Sequence, residues 1–189
     1  MKELPVRLFK TDEAWNAWLK KNHSASSGLW VRFAKKAAKL KSVTYQDALD
    51  IALCYGWIDG QRKSLDEESW LQKFTPRGSR SIWSKINKTK ALDLIERGLM
   101  QQAGHATIER ERANGQWEAA YDSYRTSTVP DDFEAALARK PKARKFFATL
   151  GSQNRYAILF RLQTARTQEI RERRIEQFIE MLIKGEALH

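Results

Sequence analysis

The hydrophobic pattern changes period several times along the first half of the chain. Leu29, Val31 and Phe33 alternate with outward-facing neighbours, which predicts a half-buried strand. Residues 48–54 leave almost no polar face, so the helix that contains them is predicted to be buried. The full prediction for this half is strands at 6–9, 28–36, 57–66 and 69–77, helices capped by Thr11, Thr44 and Asn87, and a helix at 101–114.

From residue 129 onward the pattern is typical of helices alone. Pro130 and Pro141 suit first-turn positions, Ser152 and Thr167 suit N-caps, and Gly185 suits a helix stop. We therefore predict an α+β protein, with a small mixed sheet of about four strands and helices followed by an all-helical module. The predicted divisions are an α+β domain at 1–115, a linker at 116–128 and a helical module at 129–189.

Composition supports a folded chain in a reducing compartment. Of the 189 residues, 42% are hydrophobic and seven are tryptophan, which is enough to fill a core and argues against general disorder. Cys54 is the single cysteine and lies in an apolar run, so we expect a buried, inert thiol. The N-terminal stretch has no apolar signal core, and no window is long and apolar enough to span a membrane, so we expect a cytoplasmic protein.

A net charge of +11 points to an anionic partner: nucleic acid, an anionic surface or an acidic small molecule. Much of this charge is C-terminal, because residues 139–184 hold twelve Lys/Arg residues against four acids. For nucleic-acid or anionic-surface binding, the candidate basic patch comprises Arg144, Lys145, Arg155, Arg171 and Arg174.

Motifs for cofactors and metals are missing from the sequence. It contains no P-loop, no GxGxxG motif, no GxSxG elbow and no metal-ligand spacing among its three histidines. We therefore expect no cofactor and no metal. No residue set identifies a reaction, and the sequence leaves open whether the protein is an enzyme.

Two polar clusters, at residues 55–62 and 74–87, are the candidates for a small-molecule site. If their strands pair as a hairpin, Asp59 and Gln61 face one side and approach Arg77, as a structural ion pair or as part of a pocket. Serines before a helix, beside arginine, also suit capture of a phosphate or carboxylate. The candidate ligand-binding residues are Trp57, Asp59, Gln61, Arg77, Ser81, Trp83, Ser84 and Asn87.

Three stretches together resemble one family over nearly the whole chain. They are CYGWIDGQRKSLD, QKFTPRGSRSIWSKIN, and VPDDFEAAL with FFATLGSQNRYAILFRLQTARTQEIRERRIEQFIEML. They are similar to the YdeI/OmpD-associated family, also called bacteriocin-protection or OmdA-like proteins. The resemblance implies a bacterial role in resistance to bacteriocins or cationic antimicrobial peptides, with a porin association in the name and no established catalytic residues. Relatives tend to have a second basic residue after FTPR, where this chain has Gly78.

The charge of the chain conflicts with direct capture of cationic peptides, because a protein of net charge +11 repels them. Any protection is therefore expected to be indirect. Three hypotheses follow: an anionic small-molecule site between the two clusters with Asp59 as orienting carboxylate or base, polyanion binding through the basic C-terminal helices, and a structural or adaptor role in stress resistance.

Overall fold

The computed structural model describes residues 3–79 and 81–189, so Arg80 of the second polar cluster lies outside the described residues. The chain forms two compact units. The first contains the chain up to Ser81 together with Asn87–Trp117, and the second contains Ile82–Ile86 and Glu118–His189. The first holds a mixed sheet with helices and the second is helical, which confirms the α+β prediction.

The sheet of the first unit has four strands in the order β1-β2-β4-β3. β1 pairs with β2 in parallel, whereas β2 and β3 both pair with β4 in antiparallel fashion. The inward side chains of β2 alternate as the sequence predicted, with Leu29, Val31 and Phe33 buried. The strands are β1 (Val6–Leu8), β2 (Leu29–Ala34), β3 (Trp57–Ser64) and β4 (Ser69–Pro76).

Helix α1 packs against α2, and aromatic contacts link α1 to the sheet. Trp15 of α1 lies edge-on to Phe74 of β4 at 5.6 Å, and its indole nitrogen donates to the Ala48 carbonyl at 3.0 Å. Thr11 and Thr44 cap their helices through side-chain oxygens, as predicted. The helices are α1 (Asp12–Asn22), α2 (Tyr45–Cys54), α3 (Lys85–Glu96) and α4 (Gln102–Ala113).

Helix α3 begins at Lys85, so the prediction that Asn87 is its N-cap is wrong. Asn87 is the third residue of the helix. The Lys85 N–H donates to the Tyr121 carbonyl at 2.8 Å, so one of the four N–H groups in the first turn, which have no acceptor within the helix, is satisfied by another part of the chain.

The second unit is built on four helices that share one apolar core. Pro141 occupies the first turn of α6 and Thr167 caps α8, as predicted, whereas Pro130 and Gly151 are the N-caps of α5 and α7. Ser152 is therefore the first residue of α7 and not its cap, because Gly151 takes the extended conformation of a cap. The helices are α5 (Asp131–Ala138), α6 (Pro141–Thr149), α7 (Ser152–Gln163) and α8 (Gln168–Lys184).

Gly56 is the point at which α2, α4 and the end of β4 come together. Its φ of +71° lies in the left-handed region, and a Cβ at this position would overlap the Thr107 hydroxyl of α4. Its carbonyl accepts a hydrogen bond from the Arg77 N–H at 2.9 Å. The position therefore requires glycine for its backbone conformation and for the close approach of α4.

We expect Gly56→Ala to lower the free energy of unfolding by about 1–3 kcal/mol, because it adds backbone strain and a clash with Thr107. Urea denaturation of the purified protein measures this loss. The matched control is Gly78→Ala, where nothing lies within 4 Å of an added Cβ, and a change of less than about 0.5 kcal/mol is expected. Equal losses in the two variants would contradict this explanation.

Candidate functional site

Arg77 contacts Glu111 of α4 instead of the predicted Asp59. Its Nε lies 3.1 Å from Glu111 Oε2, and both side chains have no exposed surface. Arg110 adds a second contact, from its guanidinium to Glu111 Oε1 at 3.1 Å. A guanidinium that is buried against a carboxylate inside the fold has a structural role. Arg77 is therefore not accessible to a ligand that approaches from solution.

Asp59 accepts its hydrogen bonds from neighbours on α2 and β4. Tyr45 donates its hydroxyl to Asp59 Oδ2 at 2.7 Å, and the side-chain amide of Gln72 reaches the same oxygen at 3.4 Å. A β-bulge separates Asp59 from Arg62, which are opposite Phe74 and Gln72 of β4. The extra residue of the bulge corrects the prediction that Asp59 and Gln61 share a side of the strand.

Three other residues of the two clusters, Trp57, Ser81 and Trp83, form hydrogen bonds within their own units. Trp57 is buried and donates its indole N–H to the His23 carbonyl at 3.1 Å. Ser81 closes a turn, because its hydroxyl accepts from the Gly78 N–H at 3.1 Å. Trp83 and Ser84 belong to the second unit, where the Trp83 carbonyl accepts from the Tyr121 N–H.

We expect Glu111→Gln to cost about 3–5 kcal/mol of folding free energy, because it leaves the Arg77 charge buried beside a neutral amide. Thermal and urea unfolding measure the loss. The control is Asp93→Asn, which breaks the exposed Arg97–Asp93 pair and should cost no more than about 0.5 kcal/mol.

Replacing both buried partners, as in Arg77→Met with Glu111→Leu, should restore much of the stability that Glu111→Gln removes. A double variant less stable than the single one would mean that the charges themselves hold α4 against β4.

An acidic cavity of about 390 Å³ opens in the first unit. Its apolar floor includes Cys54 and Leu94, and its rim carries four carboxylates. Of these, Asp50 is paired with Lys90 at 2.6 Å. Burial, together with a smaller effect of the nearby Asp50 charge, raises the pKa of the Cys54 thiol to about 11. The rim carboxylates are Asp12, Glu13, Asp47 and Asp50.

The raised pKa of Cys54 predicts an unreactive thiol. Only about one thiol in a thousand is ionised at pH 8 in the folded protein, so labelling with a disulfide reagent should be slow and should accelerate as pH rises toward 11. In denaturant the rate should rise to that of a free cysteine. Rapid labelling of the folded protein at pH 8 would contradict this assignment.

The second unit presents a dense group of exposed bases at the start of α6. Five of them lie between the end of α5 and the second turn of α6, and all five are exposed. No acid occurs in the sequence between Glu134 and Glu169. None of the five forms an ion pair with a carboxylate in the part of the chain that the structure describes. We call this group the basic stretch: Arg139, Lys140, Lys142, Arg144 and Lys145.

Three bases of the predicted patch have contacts within the fold. Arg171 binds both carboxylate oxygens of Asp132, at 2.6 and 2.8 Å, and this hydrogen bonding lowers the pKa of the Asp132 carboxyl. Arg174 donates to the Arg161 carbonyl, and the Arg155 guanidinium lies 4.8 Å from the centre of the Phe147 ring. Arg144 and Lys145 of the predicted patch therefore remain as exposed bases, both within the basic stretch.

Sequence reasoning missed four important residues at these places. Glu111 was not recognised as the partner of Arg77, because a single acid in a helical segment gives no sign of burial. Arg139, Lys140 and Lys142 were counted only in the charge of the C-terminal region. The uninterrupted run without acids was the available signal for them.

Among the described residues, no helix is long and apolar enough to cross a membrane. Nor do the described histidine, cysteine and acidic residues form any group of three or more that could hold a metal ion.

Comparison with known families divides the chain into two matched regions. Residues 7–107 match the family described as Domain of unknown function (DUF8412), which covers more than half of the chain. Residues 126–185 match the family described as Bacteriocin-protection, YdeI or OmpD-Associated, which confirms the family resemblance. No curated protein and no solved structure matches the chain.

Proposed function

The chain belongs to the family described as Domain of unknown function (DUF8412), and from the match of residues 126–185 to the bacteriocin-protection family we propose that it is a bacteriocin-protection protein that binds a polyanionic partner. The binding site is the basic stretch, which lies within the region matched to the bacteriocin-protection family. The observation that carries the proposal is the exposure of five bases without an acid partner among the described residues.

The position of these bases is unfavourable for the stability of α6. Its first turn has no acid, its N-cap Lys140 makes no side-chain capping bond, and Lys142 lies at the positive end of the helix dipole. The neighbouring helices α5 and α8 carry acids in their first turns, as helix stability favours. An external anion would relieve this repulsion, which supports binding as the reason for the arrangement.

The small-molecule site between the two polar clusters receives less support. It needed Arg77 and Asp59 to face a common ligand, but Arg77 is buried against Glu111 and Asp59 is hydrogen-bonded to Tyr45. Both side chains instead contact neighbours within the first unit.

Polyanion binding also explains how the protein could protect against a cationic peptide. A basic protein repels a cationic peptide, but both are attracted to the same anionic groups. By occupying those groups, the protein would lower the local concentration of bound peptide. Protection is then indirect and needs no complex between the protein and the bacteriocin.

The test replaces three lysines of the basic stretch together: Lys140→Gln, Lys142→Gln and Lys145→Gln. Binding is measured with vesicles that contain phosphatidylglycerol and with duplex DNA. Each lysine near an anionic surface contributes about 1 kcal/mol, so affinity should fall roughly a hundredfold or more. Native binding should also weaken steeply as salt increases.

The matched control removes the same charge from the first unit, as Lys10→Gln, Lys20→Gln and Lys21→Gln, all of which are exposed. This variant should lose less than about tenfold in affinity. Equal losses in the two variants would show that net charge alone governs binding. If the native protein binds neither vesicles nor DNA, the proposed function is wrong.

A further inference from the structure

An apolar groove of about 280 Å³ runs between α6 and the end of α8, beside the basic stretch. Its floor includes Phe146, Leu182 and Ile183, and Lys142, Lys145 and Lys184 line it from both helices. We propose that this groove binds an acyl-chain segment of an anionic lipid at a membrane surface, while the three lysines bind lipid headgroups. This inference rests on the proposed polyanion binding.

The spacing along α6 explains why the groove exists. Residues 142, 145, 146 and 149 lie on one helical face, whereas Ala143 and Phe147 face the core. Phe146 is therefore left half-buried at the edge of the core. A half-buried aromatic ring flanked by lysines is better suited to contact an amphiphile than to remain exposed to water.

The chemistry of the groove favours a lipid over a nucleic acid. Phosphates of DNA would satisfy the lysines but leave the apolar floor in contact with water, whereas an anionic lipid matches both. Among the described residues, no carboxylate lines this groove, while the cavity that Asp132 and Glu172 line between α5 and α8 contains several.

The size of the groove limits what it holds. At about 280 Å³ it lies just below the roughly 300–1,000 Å³ of typical small-molecule sites, so it fits part of one chain and not a whole lipid. Gly185 also lines the groove, and a Cβ added there would lie 3.9 Å from the Phe146 ring. The lysine stems extend the apolar walls while their amino groups reach the headgroup region.

The experiment places a fluorescent label in the groove and a second one beside it. Thr149→Cys, which lines the groove, and the adjacent exposed Ala148→Cys are each labelled in the full-length chain. Cys54 is buried with a raised pKa, so the unsubstituted protein carried through the same labelling reports any background. The probes are phosphatidylglycerol vesicles with quenchers on the acyl chains, the same vesicles with headgroup quenchers, and duplex DNA.

We expect acyl-chain quenchers to reduce the Thr149 label signal several-fold more than the Ala148 label signal, with no such difference on DNA. Binding to vesicles without this difference, or quenching only from the headgroups, would overturn the groove assignment and leave polyanion binding intact. Binding to DNA but not to vesicles would do the same. A loss of binding to all probes would overturn the proposed function itself.

A side-chain variant gives an independent measurement. Phe146→Ser should lower the partition coefficient to anionic vesicles about tenfold while leaving DNA affinity unchanged, and Phe146→Leu should retain partitioning. Melting curves establish that each variant is folded. If the serine variant is folded and partitions like the native protein, Phe146 does not contact lipid; if it is unfolded, the two labels decide.

Discussion

The close approach of three elements at Gly56 is the constraint on which the first unit depends. Only a residue without a Cβ lets Thr107 of α4 lie this near the end of α2. That approach brings Glu111, one turn further along α4, to the Arg77 guanidinium, while the Arg77 backbone is held by the Gly56 carbonyl. The two glycines of YGWIDGQ therefore have different structural roles. Gly56 permits the close approach of α4, and Gly60 lies in the bulge of β3.

The buried ion pair and the basic stretch lie in different units. In the first, Arg77 is buried with Glu111, and even the rim of the acidic cavity has Asp50 paired with Lys90. In the second, an ion pair between Arg171 and Asp132 joins α8 to α5 and another joins Lys85 to Asp122, while the basic stretch remains exposed. Charges that face opposite charges stabilise a fold, whereas clustered like charges oppose it. The like charges of the basic stretch oppose folding, and binding is the better explanation for their arrangement.

Predictions from the sequence were correct where the structure depends on residues that are close together in the sequence. The alternation in β2 and the caps at Thr11, Thr44 and Thr167 depend on residues within one turn or one strand. The partner of Arg77 depends instead on how α4 packs, and no local pattern identifies it. The bulge after Asp59 inserts a single residue, which a simple period of two does not reveal.

The family description and the charge of the chain conflict only if protection means capture of the peptide. A surface with five neighbouring bases repels a cationic bacteriocin but is attracted to the anionic groups that the peptide also needs. The apolar floor of the lysine-lined groove favours a lipid over other polyanions. Electrostatic attraction alone would be lost at high salt, while insertion of an acyl segment adds a contribution that salt does not screen. A protein with both contributions would hold its anionic surface under conditions that displace a peptide bound by charge alone.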